Sequence, residues 1–185
     1  MRVISGTARG LKLKAPDGLN TRPTTDRIKE SLFNIIAAGL YDICFVDLFS
    51  GSGSIGIEAL SRGARKAYFC DNNAKSIAVI NDNIGRARLA DKAVVMQCGY
   101  LQALERIRAA GDKIDIAFLD PPYNTGLVRG ALEAIVRLDL LADDGFIIAE
   151  QAASEPELNI NGLVVTRVKD YKTTKMTYLA KEDKK

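Results

Sequence analysis

The chain has 185 residues, 47% apolar and 26% charged, the length and balance of one globular domain with room for a small appendage. It holds no His and only three scattered Cys (Cys44, Cys70, Cys98), which excludes a His general base, a Ser-His-Asp triad, a His or four-thiolate metal site and a disulfide framework. Net charge is +3, but residues 1–30 and 162–185 each carry seven basic against three acidic residues, so a polyanion meets basic ends and an acidic middle.

Val3-Ile4-Ser5 and Leu11 to Lys14 read as two short strands around a Gly6–Gly10 turn, a small N-terminal β-hairpin. Pro16 to Pro23 is a loop by composition, and Thr24 or Thr25 caps a helix carrying Ile28, Leu32, Phe33, Ile35 and Ile36 on one stripe. Asp26 in its first turn suits the helix dipole, and Gly39 ends it. From residue 43 the rhythm becomes strand, turn, helix: strands at 43–49, 66–70, 93–97, 114–119 and 145–150, helices at 55–60, 74–88, 101–110 and 127–138. The alternation then fails, and 163–169 with 175–180 read as an antiparallel hairpin. Such a pattern means an α/β fold, a mostly parallel sheet with helices on both faces and a mixed edge. Residues 1–22 are the hairpin extension and 23–185 the main domain. No apolar run approaches the ~20 residues of a membrane span. MRVISGTARG has no signal-peptide core, and the thiols are sparse, so the expected location is cytoplasmic. No interface pattern stands out, and a monomer is expected.

Two motifs carry chemistry. Gly51, Gly53 and Gly56 form a GxGxxG loop after a strand and before a helix, and Asp71 follows Gly51 by 20 residues at the end of the next strand. Glycines let a ligand approach the backbone, and a carboxylate at Asp71 suits two ribose hydroxyls. The loop therefore points to a nucleoside-containing cofactor, either a nicotinamide dinucleotide or S-adenosylmethionine. Asp47, at the carboxyl end of the first strand, repels a pyrophosphate and attracts a sulfonium or ammonium, which favours S-adenosylmethionine; a helix-facing cap is its alternative role. The second motif, Asp120-Pro121-Pro122-Tyr123, ends the fourth strand, on the side where open α/β sheets bind ligands. Its prolines remove two donors, Asp120 adds an acceptor and Tyr123 an aromatic face. Acceptors beside a flat platform suit the exocyclic amine of a nucleobase.

Together these motifs resemble those of class I S-adenosylmethionine-dependent amino-methyltransferases, which carry (Asn/Asp/Ser)-Pro-Pro-(Tyr/Phe). Nearly the whole chain is similar to the bacterial 16S rRNA guanine-(N2)-methyltransferases. The matching stretches are Gly6 to Leu13, Arg22 to Asn34 (with Arg22-Pro23-Thr24-Thr25-Asp26-Arg27 the most family-specific), Asp47 to Gly53, Gly56 to Gly63, and Asp120 to Tyr123. The resemblance implies a Rossmann-like methyltransferase fold and one methyl transferred to N2 of a guanine in 16S rRNA of the small subunit. It also implies a substrate that is the 30S subunit or an assembly intermediate rather than naked RNA. Where the family carries Asp or Asn after the third strand to meet the adenine amine, this chain has Met96-Gln97-Cys98-Gly99-Tyr100, so Gln97 or the Cys98 and Gly99 backbone take that place.

On this reading Asp120, Pro121 and Tyr123 are catalytic. Asp47, Phe49, Gly51, Ser52, Gly53, Asp71 and Asn72 bind the cofactor. Pro122, Tyr123, Arg9, Lys12 and Arg22 bind substrate, and no metal is used. Arg2, Lys14, Lys172 and Lys175 are further candidates for phosphate contact. Glu30 and Glu58 read as helix-surface acids, Tyr41, Tyr68 and Tyr178 as partly buried packing residues, and the three Cys as buried thiols. The competing functions are a DNA adenine or cytosine amino-methyltransferase, disfavoured by the lack of room for a target-recognition domain, a nicotinamide oxidoreductase, and a non-catalytic rRNA-binding assembly factor.

Overall fold

A computed structural model describes residues 1–16 and 26–182. Two compact units divide the chain, Met1–Gly99 and Tyr100–Lys185. The expected 16–23 loop lies mostly outside the described residues, and so do the Thr24 or Thr25 cap and Arg22.

The first unit contains α1 (Asp26–Ile36), β1 (Cys44–Asp47), α2 (Ser54–Ser61), β2 (Lys66–Asp71), α3 (Ala74–Ala87) and β3 (Ala93–Gln97). Its strands are parallel and ordered β3-β2-β1, with Asp47 opposite Phe69 and Asp71 opposite Gln97. Every residue of β1 is buried, as a strand covered on both faces requires. Asn73 caps α3 by accepting the Lys75 N–H at 2.8 Å. Gly56, third in the glycine pattern, is set by packing: a Cβ there would stand 2.4 Å from the Phe69 ring.

The N-terminal segment folds back with a single bridge, Arg2 to Lys12, rather than the two strands expected. Val3 N–H donates to the Leu11 carbonyl at 2.9 Å, but the amides of Ile4 and Ser5 leave the ladder. They donate instead to the two oxygens of Glu58, at 2.8 and 2.9 Å. Gly6 then lies so close to α2 that a Cβ would stand 1.8 Å from the Ser61 carbonyl. Thr7 and Ala8 donate to Ser61, and Lys14 and Asn83 exchange bonds on α3.

Glu58 is therefore no surface acid. It is fully buried, 3.1 Å from the buried Lys29 ammonium and 2.8 Å from the Arg62 guanidinium. Lys29 also donates to the Arg2 carbonyl. Burial pulls the Lys29 pKa down, and the Glu58 charge beside it pushes back. Glu30 is exposed as expected, and all three Cys are buried. Tyr68 and Tyr178 are buried, whereas Tyr41 is 84% exposed, a correction to the packing role expected of it.

The second unit contains α4 (Tyr100–Ala109), β4 (Ile114–Leu119), α5 (Leu127–Arg137), β5 (Leu141–Ala152), β6 (Leu163–Asp170) and β7 (Thr174–Lys181). Strand order is β4-β5-β7-β6, with β4 and β5 parallel and both β7 pairings antiparallel. The hairpin is present, but its second strand is inserted beside β5. Burial explains the choice: residues 174–179 of β7 are all buried, while β6 is exposed apart from the buried Leu163 and the half-buried Lys169, and carries Arg167 and Lys169 along the edge. No described helix is long and apolar enough to cross a membrane.

Candidate active site

The glycine loop of the first unit turns on two residues with positive φ, Gly51 (+54°) and Gly53 (+76°), which favour glycine on conformational grounds. Ser50 N–H donates to the Cys70 carbonyl at 2.9 Å, and the Ser50 hydroxyl to the Asp47 carbonyl at 2.6 Å, so the loop is pinned to the ends of β1 and β2. Asp71 closes it. One of its oxygens accepts Gly51 N–H at 2.9 Å and the other Asn73 N–H at 2.8 Å, a pair of bonds that fixes the carboxylate plane. A Cβ on Gly51 would meet nothing within 4 Å, so a ligand has room against that backbone. Open space at a positive-φ glycine beside an oriented, half-exposed carboxylate fits a ribose-bearing cofactor.

Ser52 is half-buried, and its carbonyl accepts the Asn83 side chain at 3.0 Å, which ties the loop to Lys14 through one buried amide. Phe49 is half-buried and Asn72 exposed. In the Met96–Gly99 stretch, Cys98 N–H donates to the Asp71 carbonyl at 3.2 Å, while Gln97 and Gly99 are exposed.

Asp47 takes the helix-facing geometry. It is 1% exposed, and its Oδ2 accepts Gly56 N–H at 3.1 Å in the first turn of α2. Burial pushes its pKa up to about 7, against the lowering effect of that amide and with the help of nearby Asp71. As pH rises from the ordinary 3.8 towards 7, the unfolded chain releases this proton while the folded chain keeps it. Stability therefore falls across that window, by roughly 4 kcal/mol in total. Asp47→Asn keeps an acceptor for Gly56 and loses the slope. Urea unfolding of the two proteins at pH 5 and pH 8 is expected to show the variant gaining on the parent at the higher pH.

In the second unit, Asp120-Pro121-Pro122-Tyr123 leaves the carboxyl end of β4. Asp120 is half-buried, Pro121 buried and Pro122 exposed. Tyr123 is 41% exposed, and its hydroxyl donates to Glu150 Oε1 at 3.1 Å. Thr125 donates to the Pro122 carbonyl at 2.6 Å, and Asn124 N–H to Glu155 Oε1 at 2.9 Å. Pro121, Pro122, Tyr123, Glu150 and Glu155 line one shallow pocket. Asp120 and Glu150 each lie one residue beyond the Leu119–Ala149 pair, so both belong to the carboxyl end of the parallel strands.

Arg9, Lys12 and Lys172 are exposed, as a phosphate contact needs. Lys175 is not: it is 8% exposed, and its ammonium donates to the Glu155 carbonyl, because β7 is an inner strand. Sequence reasoning missed Glu58, Asn83, Glu150 and Glu155. Glu150 was within reach, since it ends an apolar strand at the carboxyl edge where ligands sit.

The sheet, the glycine loop with its carboxylate, and the Asp-Pro-Pro-Tyr turn define a class I methyltransferase fold. A structure titled "Putative methyltransferase yhhF from Escherichia coli" matches it at TM-score 0.87 and 31% identity, covering 98% of each chain. A family model described as "Conserved hypothetical protein 95" matches residues 1–180, so this chain belongs to that family. Its relatives include the "Putative rRNA methyltransferase YlbH" of Bacillus subtilis, 40% identical over 94% of this chain and 95% of that protein. They also include the "Ribosomal RNA small subunit methyltransferase D" of Escherichia coli, 34% identical over 81% of this chain and 74% of that protein.

Proposed function

We propose that this protein transfers a methyl group to the N2 amine of a guanine in 16S rRNA, within the 30S subunit or an assembly intermediate. Its activity is that of its family, an rRNA small-subunit methyltransferase. The observation that carries the residue-level reading is the Asp-Pro-Pro-Tyr turn, with its acidic residue half-buried and its aromatic ring half-exposed at the end of a parallel strand. S-adenosylmethionine supplies the activated methyl group.

Gly51, Ser52 and Gly53 offer the backbone that lies against the cofactor, Asp71 takes the ribose hydroxyls, and Phe49 and Asn72 flank them. Asp47 acts by shaping the start of α2. In the second unit, Asp120 and the Pro121 carbonyl accept hydrogen bonds from the base amine. An exocyclic amine is a poor nucleophile because its lone pair is delocalised into the ring. Two acceptors favour a pyramidal nitrogen and stabilise the positive charge that develops on it. Asp120 then holds the departing proton. Tyr123 and Pro122 present the surface on which an unstacked guanine lies.

Arg9, Lys12 and Arg22 bind phosphates, with 1–22 serving as an RNA-contacting extension of the 23–185 methyltransferase domain. The working protein is a cytoplasmic monomer. Reversing the charges of Arg9 and Lys12 is expected to weaken subunit binding and to lower its salt slope by roughly one per residue. A filter-binding salt titration measures it, and an unchanged slope removes these residues from the RNA surface.

The direct test offers labelled S-adenosylmethionine with small subunits from cells lacking the enzyme, with naked 16S rRNA and with duplex DNA. Label recovered as N2-methylguanine in rRNA is the expected result. Label in DNA alone favours a DNA amino-methyltransferase, and cofactor binding with no transfer favours an assembly factor.

A further inference from the structure

We infer that Glu150 is a positioning residue for the reaction: it fixes Tyr123 in the orientation in which the ring receives the target base. The inference rests on the rRNA guanine reading above. Tyr123 sits in a turn between β4 and α5 and is 41% exposed. An aromatic side chain so placed loses rotamer freedom each time a base stacks on it, a cost that weakens binding. Here the far end of the ring is anchored beforehand, by its hydroxyl on Glu150 Oε1 at 3.1 Å.

The anchor is rigid. Glu150 is 6% exposed, and its backbone belongs to β5, opposite Met176 of β7. The turn is held at a second point, where Glu155 accepts Asn124 N–H at 2.9 Å, and the Glu155 carbonyl is itself held by the buried Lys175 ammonium. Two acids of one strand and its following turn thus set the backbone and the ring of the motif together. Asp120 handles the amine, and Glu150 acts on the reaction only through Tyr123.

The experiment measures methyl transfer from labelled S-adenosylmethionine to small subunits by the full chain and by Tyr123→Phe, Glu150→Gln, Glu150→Ala and the double variant Tyr123→Phe/Glu150→Ala. Loss of the anchor is expected to raise KM for the subunit roughly tenfold, the worth of one well-placed hydrogen bond, with a smaller change in kcat. Tyr123→Phe and Glu150→Ala should match, and the double variant should be no worse than either. Glu150→Gln, which keeps an acceptor, should recover most of the loss, and cofactor affinity should stay constant throughout. If Glu150→Ala does not fold, Tyr123→Phe impaired beside Glu150→Gln spared carries the same conclusion. Additive losses in the double variant, or a Tyr123→Phe protein with unchanged KM, overturn the proposal while leaving the guanine reading intact. No transfer by the unaltered chain overturns both.

Discussion

Asp120→Ala is expected to lower kcat by roughly 10²–10³, the usual cost of removing one preorganised group that stabilises transition-state charge, with cofactor affinity unchanged. Asp120 sits half-buried at the end of β4, one residue past the buried Leu119, and leads directly into two prolines whose rings restrict the backbone. The carboxylate is therefore presented by rigid chain rather than by a flexible loop. Under the proposed function, its removal takes away an acceptor for the amine and the site that holds the departing proton. Asp120→Asn keeps one acceptor of similar shape and loses the charge, so it should fall between the two. Single-turnover transfer to small subunits, with the product identified as N2-methylguanine, separates chemistry from binding. A variant whose loss lies wholly in KM removes Asp120 from the chemical step.

Glu58→Ala carries the largest expected loss of stability, about 3–5 kcal/mol, because it leaves a buried charge without its counter-ion. Lys29 is fully buried, with Glu58 3.1 Å away. The same carboxylate accepts the amides of Ile4 and Ser5, so the substitution also strips two backbone donors of their acceptor. Urea unfolding measures the loss. Hydrogen exchange adds a local signature: the amides of Ile4 and Ser5 should exchange faster than those of β1. Lys29→Met combined with Glu58→Gln removes both charges and keeps an acceptor for one of the two amides, and it should recover part of the stability. If Glu58→Ala costs less than about 1 kcal/mol, the worth of an exposed ion pair, the buried network is not what holds the N-terminal segment.

Much of the fold was legible because buried parallel strands and the helices between them leave periodic traces. The spans expected at 93–97 and 114–119 coincide with β3 and β4, and the GxGxxG spacing correctly placed a loop between β1 and α2. The N-terminal strands were not legible in the same way. A ladder depends on its own amides, and those of Ile4 and Ser5 are captured by an acid more than fifty residues away. Lys29 did leave a signal, since it stands in register with Leu32, Phe33 and Ile36 on the buried stripe of α1, and a lysine in such a position needs a buried partner. Likewise every residue of α2 is buried, so an acid within it has to be paired.

Local spacing and residue chemistry are enough to establish an α/β chain and to single out the glycine loop at Gly51–Gly56 and the Asp-Pro-Pro-Tyr turn at Asp120–Tyr123 as its candidate sites, because both motifs are contiguous and their physics is local. Which acids act beside those motifs is decided by packing across long sequence separations. Glu150 reaches Tyr123 because β4 and β5 are parallel neighbours, and Lys175 is buried because β7 rather than β6 pairs with β5. A side chain's role follows from what surrounds it, and hydrogen bonds between distant strands and loops leave no periodicity in the chain that makes them.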